Sequence, residues 1–137
     1  MERDERSGSD PITGNGSSSL VFVYGTLLSG QRNHAYLCGA AGLGSVYTEP
    51  HYRLVDLGSY PALRNSGDDA IRGELYLVSP EILAALDRLE GHPHFYRRGL
   101  VTLDDGRLAS TYFLPEDQYE NAAQISCWPP EPSLRRC

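Results

Sequence analysis

The stretch LVFVYGTL, Leu20 to Leu27, decides how this chain is read. An unbroken apolar run rich in β-branched and aromatic residues stops at Gly25, the pattern of a buried strand running into a turn. Residues 1–19 before it are mostly Gly, Ser and charged side chains. They bury too little surface to offset their ordering entropy, so a flexible tail is expected there and the folded unit starts at Leu20. After the run, Gly30 to Asn33 forms a break, and Asn33 is placed to cap a short helix through Ala35, Tyr36 and Leu37. Gly39 to Gly44 reads as a loose segment of small residues.

Farther along, strands are expected at Ser45–Tyr47 and His51–Leu57, parted around Pro50, which is disfavoured inside a central strand. Tyr60 to Leu63 reads either as a turn held by Pro61 or as the wall of a pocket. At Ile71 to Val78, alternation of Ile71, Gly73, Leu75 and Leu77 with Arg72, Glu74 and Tyr76 predicts a strand with one buried face. The clearest helix runs from Pro80 to Leu89. Ser79 is a good N-cap, Pro80 suits the first helical position, and Ile82, Leu83, Leu86 and Leu89 recur at helical spacing until Gly91 ends it. Two last strands, Gly99–Leu103 and Arg107–Leu114, flank the hairpin turn Asp104, Asp105 and Gly106. Strands outnumber helices and do not alternate with them, so the fold class is α+β. The domain spans 20–126, and a Pro-rich segment, 127–137, follows it, with Trp128 placed to dock.

The composition bounds the chemistry. With 137 residues, 40% hydrophobic and 22% charged, the chain fits one globular domain that needs neither disulfides nor a structural metal. All 12 basic residues are Arg, so Schiff-base and P-loop lysine mechanisms are excluded. A formal net charge of −6 opposes nucleic acid as a partner and favours a small molecule. Cys38, Cys127 and Cys137 show no metal or disulfide spacing, which suits a reducing compartment. No apolar stretch approaches the roughly 20 residues of a membrane helix, and no signal-peptide core opens the chain. The protein is therefore expected in the cytoplasm, off the membrane; nothing sets its oligomeric state.

Few residues carry candidate chemistry. At Tyr24, Gly25, Thr26 and Leu27 a strand stops and successive backbone N–H groups come free, which is either an ordinary strand end or a cradle for an anion. Glu90 lies at the C-terminal end of the helix, beside Leu86 and Leu89, where the helix dipole and apolar neighbours would raise its pKa as a general base requires. A solvated surface Glu reads equally well. His92 and His94 flank Pro93 without a further ligand at recognised spacing, so a metal hydrolase is a distant reading. His34 and Cys38 stand alone, and no G-x-S-x-G elbow is present. Tyr96, Arg97 and Arg98 are available to pair with a substrate carboxylate or with Glu74.

Four segments in order, VYGTLLSGQRNHAYL at Val23–Leu37, GSYPAL at Gly58–Leu63, GELY at Gly73–Tyr76 and LDRLEGHPHFYRR at Leu86–Arg98, resemble the gamma-glutamyl cyclotransferase superfamily, nearest its small gamma-glutamylamine branch. The resemblance implies a compact mixed β-barrel with a few packed helices. It also implies a carboxylate-binding backbone at Tyr24, Gly25, Thr26 and Leu27, a catalytic acid at Glu90, and Tyr96 near the pocket. The implied reaction splits a small gamma-glutamyl amide by internal attack, giving 5-oxoproline and a free amine without metal or cofactor. Two alternatives share the fold: removal of a gamma-glutamyl group from a biosynthetic intermediate, and a non-catalytic module that captures an amino-acid-like ligand.

Overall fold

A computed structural model describes residues 17–115 and 122–129. The expected tail at 1–19 therefore lies outside the described residues up to position 16, as does the Pro-rich segment from position 130. The described residues form eight strands and one α-helix: β1 Ser19–Val23, β2 Ala41–Tyr47, β3 Tyr52–Asp56, β4 Pro61–Asp69, β5 Arg72–Val78, α1 Pro80–Glu90, β6 Arg97–Thr102, β7 Leu108–Phe113 and β8 Ala123–Ile125. A single turn of 3-10 helix, His34–Leu37, stands where the short helix was expected. Asn33 does not cap it; its side-chain amide donates instead to Thr26 Oγ1 at 2.9 Å.

The strands form one mixed sheet in the order β2-β5-β1-β7-β4-β3-β8, with β6 also paired to β7. This is the expected α+β class, but the barrel is loose. The sheet does not close strand on strand; β2 and β6 meet only beyond their ends, at the isolated bridge between Thr48 and Leu103. Both faces are covered. Val21, Val23, Tyr76 and Val78 pack with Leu86 of α1, while Phe22, Tyr24, Leu54, Leu63 and Leu75 form a second cluster on the other side. Two covered faces explain why β1 reads as a continuous apolar run rather than an alternation.

Strand β7 creates the opening that becomes the site. It has two edges, and β6 takes one along its whole length. The other is shared by two parallel partners, β1 opposite Ser110 and β4 opposite Phe113. Where β1 gives way to β4, the chain lifts off the sheet at Tyr24 and Gly25. The Tyr24 hydroxyl bridges the parting, donating to Tyr112 O at 2.7 Å and accepting from Leu63 N at 3.2 Å.

Three expectations at element level change. Tyr60–Leu63 is not a turn: Pro61 opens the nine-residue strand β4, a position where its missing N–H does no harm. Gly39–Gly44 is not loose throughout, since β2 starts at Ala41 and pairs with β5 across a bulge between Gly42 and Ser45. Cys127 is disulfide-bonded, whereas Cys38 is a free, exposed thiol. Trp128 packs beside the Phe22 cluster. No helix among the described residues is long and apolar enough to cross a membrane.

Candidate active site

The turn after β1 is held from one side. Leu28 N donates to Gly25 O at 3.0 Å, Asn33 N to Thr26 O at 2.9 Å, and His34 Nδ1 to Leu27 O at 2.9 Å. With its carbonyls occupied, the turn presents the amides of Gly25, Thr26 and Leu27, which find no acceptor among the described residues. Such a row of unpaired N–H groups is a concave binding site for an anion. Glu74 anchors the following loop: its Oε1 accepts from Ser29 N at 2.9 Å, Ser29 Oγ at 3.0 Å and the Tyr76 hydroxyl at 2.9 Å. Gly25 has a steric reason to be Gly. A Cβ built there would lie 2.7 Å from Pro61 Cγ.

Glu90 reaches the same place from the other end of the sequence. Helix α1 starts with Ser79 Oγ accepting from Ile82 N at 3.2 Å and ends at Gly91, whose φ of 70° turns the chain away. Gly91 N donates to Arg88 O and His92 N to Asp87 O, a Schellman closure that makes Glu90 the last helical residue. Half-buried and without a hydrogen-bond partner among the described residues, its carboxyl is pushed up to about 7 by burial. Desolvation penalises the charged form, as the apolar neighbours Leu86 and Leu89 led one to expect. Glu90 is near enough for its charge to help raise the phenol pKa of both Tyr24 and Tyr112, although burial is the larger cause in each.

Four tyrosines, Tyr24, Tyr60, Tyr96 and Tyr112, line the walls, and the hydroxyls of Tyr24, Tyr96 and Tyr112 are already engaged. Tyr96 donates to Pro61 O at 2.6 Å and meets Phe95 edge to face, with ring centroids 5.0 Å apart. Tyr112 donates to Asp87 Oδ1 at 2.6 Å, and the same oxygen pairs with Arg98 Nε at 3.0 Å. Arg98 is thus joined to Asp87 and not, as the sequence allowed, to Glu74.

These groups enclose a cavity of about 190 Å³. It is smaller than the roughly 300–1,000 Å³ of sites for drug-sized ligands, so it suits a compact molecule of amino-acid dimensions. Tyr24, Gly25, Thr26, Leu27, Glu90 and Tyr96 all line it. So do Arg32, Asn33, Phe95 and Tyr112, which sequence reasoning did not single out as site residues. Arg32 and Asn33 lay within the motif already quoted, so their position beside the turn was an available signal; nothing local marks Tyr112. His92 does not point to a metal, since its Nδ1 accepts from Arg98 N at 3.0 Å. Among the described residues no group of three or more His, Cys, Asp or Glu could hold a metal ion.

The cavity brings together a turn with open amides, a half-buried acid of raised pKa and apolar walls. Residues 21–129 match the family described as gamma-glutamyl cyclotransferase, AIG2-like. The chain belongs to that family. It is 50% identical over 82 residues to a Vibrio cholerae protein carrying a provisional gamma-glutamylcyclotransferase name, a match spanning 60% of this chain and 70% of that one. It is 39% identical over 92 residues to the gamma-glutamylaminecyclotransferase of Bos taurus, covering 61% of this chain and 55% of the bovine protein. The crystal structure of an AIG2-like protein from Mus musculus superposes with a TM-score of 0.74 at 25% identity, over 82% of this chain and 88% of that one.

Proposed function

We propose that this member of the family is an active gamma-glutamyl cyclotransferase, converting a small gamma-glutamyl amide to 5-oxoproline and a free amine. One observation carries the reading: Glu90, its pKa raised to about 7, and the open amides of Gly25, Thr26 and Leu27 line one cavity. The amides take the α-carboxylate of the glutamyl group, and the apolar walls fold its side chain so that the α-nitrogen meets the γ-carbonyl.

The α-amine, with an ordinary pKa of roughly 8, arrives mostly as an ammonium. Glu90 as carboxylate takes one proton from it, and the freed nitrogen attacks the γ-carbon, closing a five-membered ring and leaving an oxyanion. The ring nitrogen gives its second proton to Glu90, whose carboxylate is restored as it delivers the first to the amide nitrogen. The bond from the γ-carbon to that nitrogen then breaks, and the amine departs with the surplus proton as an ammonium. No enzymic nucleophile is required. Oriented internal attack reaches effective molarities of about 10⁵ to 10⁸ M, so holding the bent substrate supplies much of the rate.

The test is release of 5-oxoproline from gamma-glutamyl amines, gamma-glutamyl peptides and glutathione. Glu90→Gln should bind substrate while losing about 10²-fold or more in turnover. In the wild type, kcat/KM should rise with pH through about 7 as the Glu90 base is freed. Near-normal turnover by Glu90→Gln would remove Glu90 from the mechanism.

A further inference from the structure

Two groups of the glutamyl end are matched above, its carboxylate by turn amides and its α-amine by Glu90. One charged residue of the cavity is then left without a role. Among the described residues, Arg32 is the one cation lining the cavity and Glu90 the one acid. Arg32 is exposed, and no carboxylate among the described residues pairs with it. Its position in the loop is nonetheless defined, because Gln31 N donates to Leu28 O at 2.9 Å and Asn33 N to Thr26 O at 2.9 Å on either side of it. An exposed guanidinium on the cavity lining is available to a part of the substrate that neither the turn amides nor Glu90 holds.

We propose that Arg32 sets the substrate class by pairing with a carboxylate on the amine half of the gamma-glutamyl amide. This rests on the function proposed above and concerns its other half. An amine bearing a second positive charge would meet Arg32 with repulsion and find no acid but Glu90, which the reaction occupies. An amine bearing a carboxylate gains a forked, charge-assisted contact. Such a substrate carries two carboxylates and one ammonium, and a chain of net charge −6 repels it at a distance. An exposed arginine on the cavity lining opposes that field locally. Tyr60 and Phe95, edge to face at 6.2 Å, give the same cavity an apolar wall for the body of the amine.

The decisive comparison uses two amides of the same shape, gamma-glutamylglycine and gamma-glutamylglycinamide, which differ in one charge. Wild-type protein should favour the carboxylate by kcat/KM, and the preference should weaken with added salt. In Arg32→Gln the ratio of the two kcat/KM values should fall about tenfold, the lower range for a hydrogen bond to a charged group. Arg32→Glu should drop it further, below unity. Equal losses on both amides would assign Arg32 to the glutamyl end or to the fold, and an unchanged ratio would deny it any role; either overturns the proposal. Release of 5-oxoproline from neither amide by wild type would instead overturn the reaction. Calorimetric binding of both compounds to the three proteins would then decide the charge preference without turnover. A lost carboxylate preference in the variants supports it, and equal affinities in wild type overturn it.

Discussion

Glu90 keeps its proton up to about pH 7 because folding removes it from water, whereas its ordinary value is 4.5. Between those values the folded chain holds a proton that the unfolded chain has lost. Stability therefore falls as pH rises from 4.5 toward 7 and stays lowered above it. Glu90→Gln lifts that penalty. It should raise the unfolding free energy on the order of 3 kcal/mol above pH 7 and hardly at all in acid, read from denaturant midpoints across pH. A uniform effect at every pH would show that burial does not perturb this carboxyl. Tyr24 is the second residue whose chemistry reaches past itself. Tyr24→Phe would orphan Leu63 N and Tyr112 O, where β1 parts from β4. A cost of about 1–3 kcal/mol per group is expected in the same measurement, and an unchanged midpoint would show that the hydroxyl does not join the strands.

Helix α1 acts as a lever whose end is set by Gly91. An Ala at φ 70° costs about 1–2 kcal/mol, and its Cβ would press on Phe95 Cβ at 3.2 Å. Gly91→Ala should therefore lower kcat more than it alters KM, because it displaces Glu90 and leaves the turn amides in place. A change in KM alone would contradict that division. The helix itself was legible, since its cap, its first-turn proline, its apolar spacing and its terminal glycine are all local. The 3-10 turn was half legible. Asn33 has the chemistry of a cap, but Thr26 competes for its side chain and wins. Strand β4 was hidden because Arg64 to Asp69 have little intrinsic strand preference; pairing with β3 and β7 makes it a strand.

Across the whole molecule, the site depends on the two strands paired with β1, β5 and β7, approaching it closely. Gly73 of β5 shows how closely: a Cβ there would run into Val23 O and the Phe22 ring, 2.6 Å away. Gly73→Ala should cost about 1–3 kcal/mol through overpacking and widen the gap between β1 and β5. Because Glu74, next along β5, holds the loop through Ser29, substrate affinity should fall with stability. Unchanged thermal stability would mean that the sheet can shift there without strain. The approach of β2 to β6, which leaves the sheet open, belongs to this scale as well. It rests on the single bridge between Thr48 and Leu103, which no pattern within either strand announces.

From the chain alone came what short segments control: the buried strand ending at Gly25, the capped helix ending at Gly91, the hairpin at Asp104 to Gly106, and the exclusion of lysine chemistry. Tertiary structure decided the rest. It brought Glu90 to the Gly25 turn, engaged the hydroxyls of Tyr96 and Tyr112, set Arg32 on the cavity lining, and supplied the desolvation that moves the carboxyl's pKa. The division is physical. Capping and periodicity act within a few residues, whereas burial and the sharing of one strand edge by two partners exist only once distant segments have met.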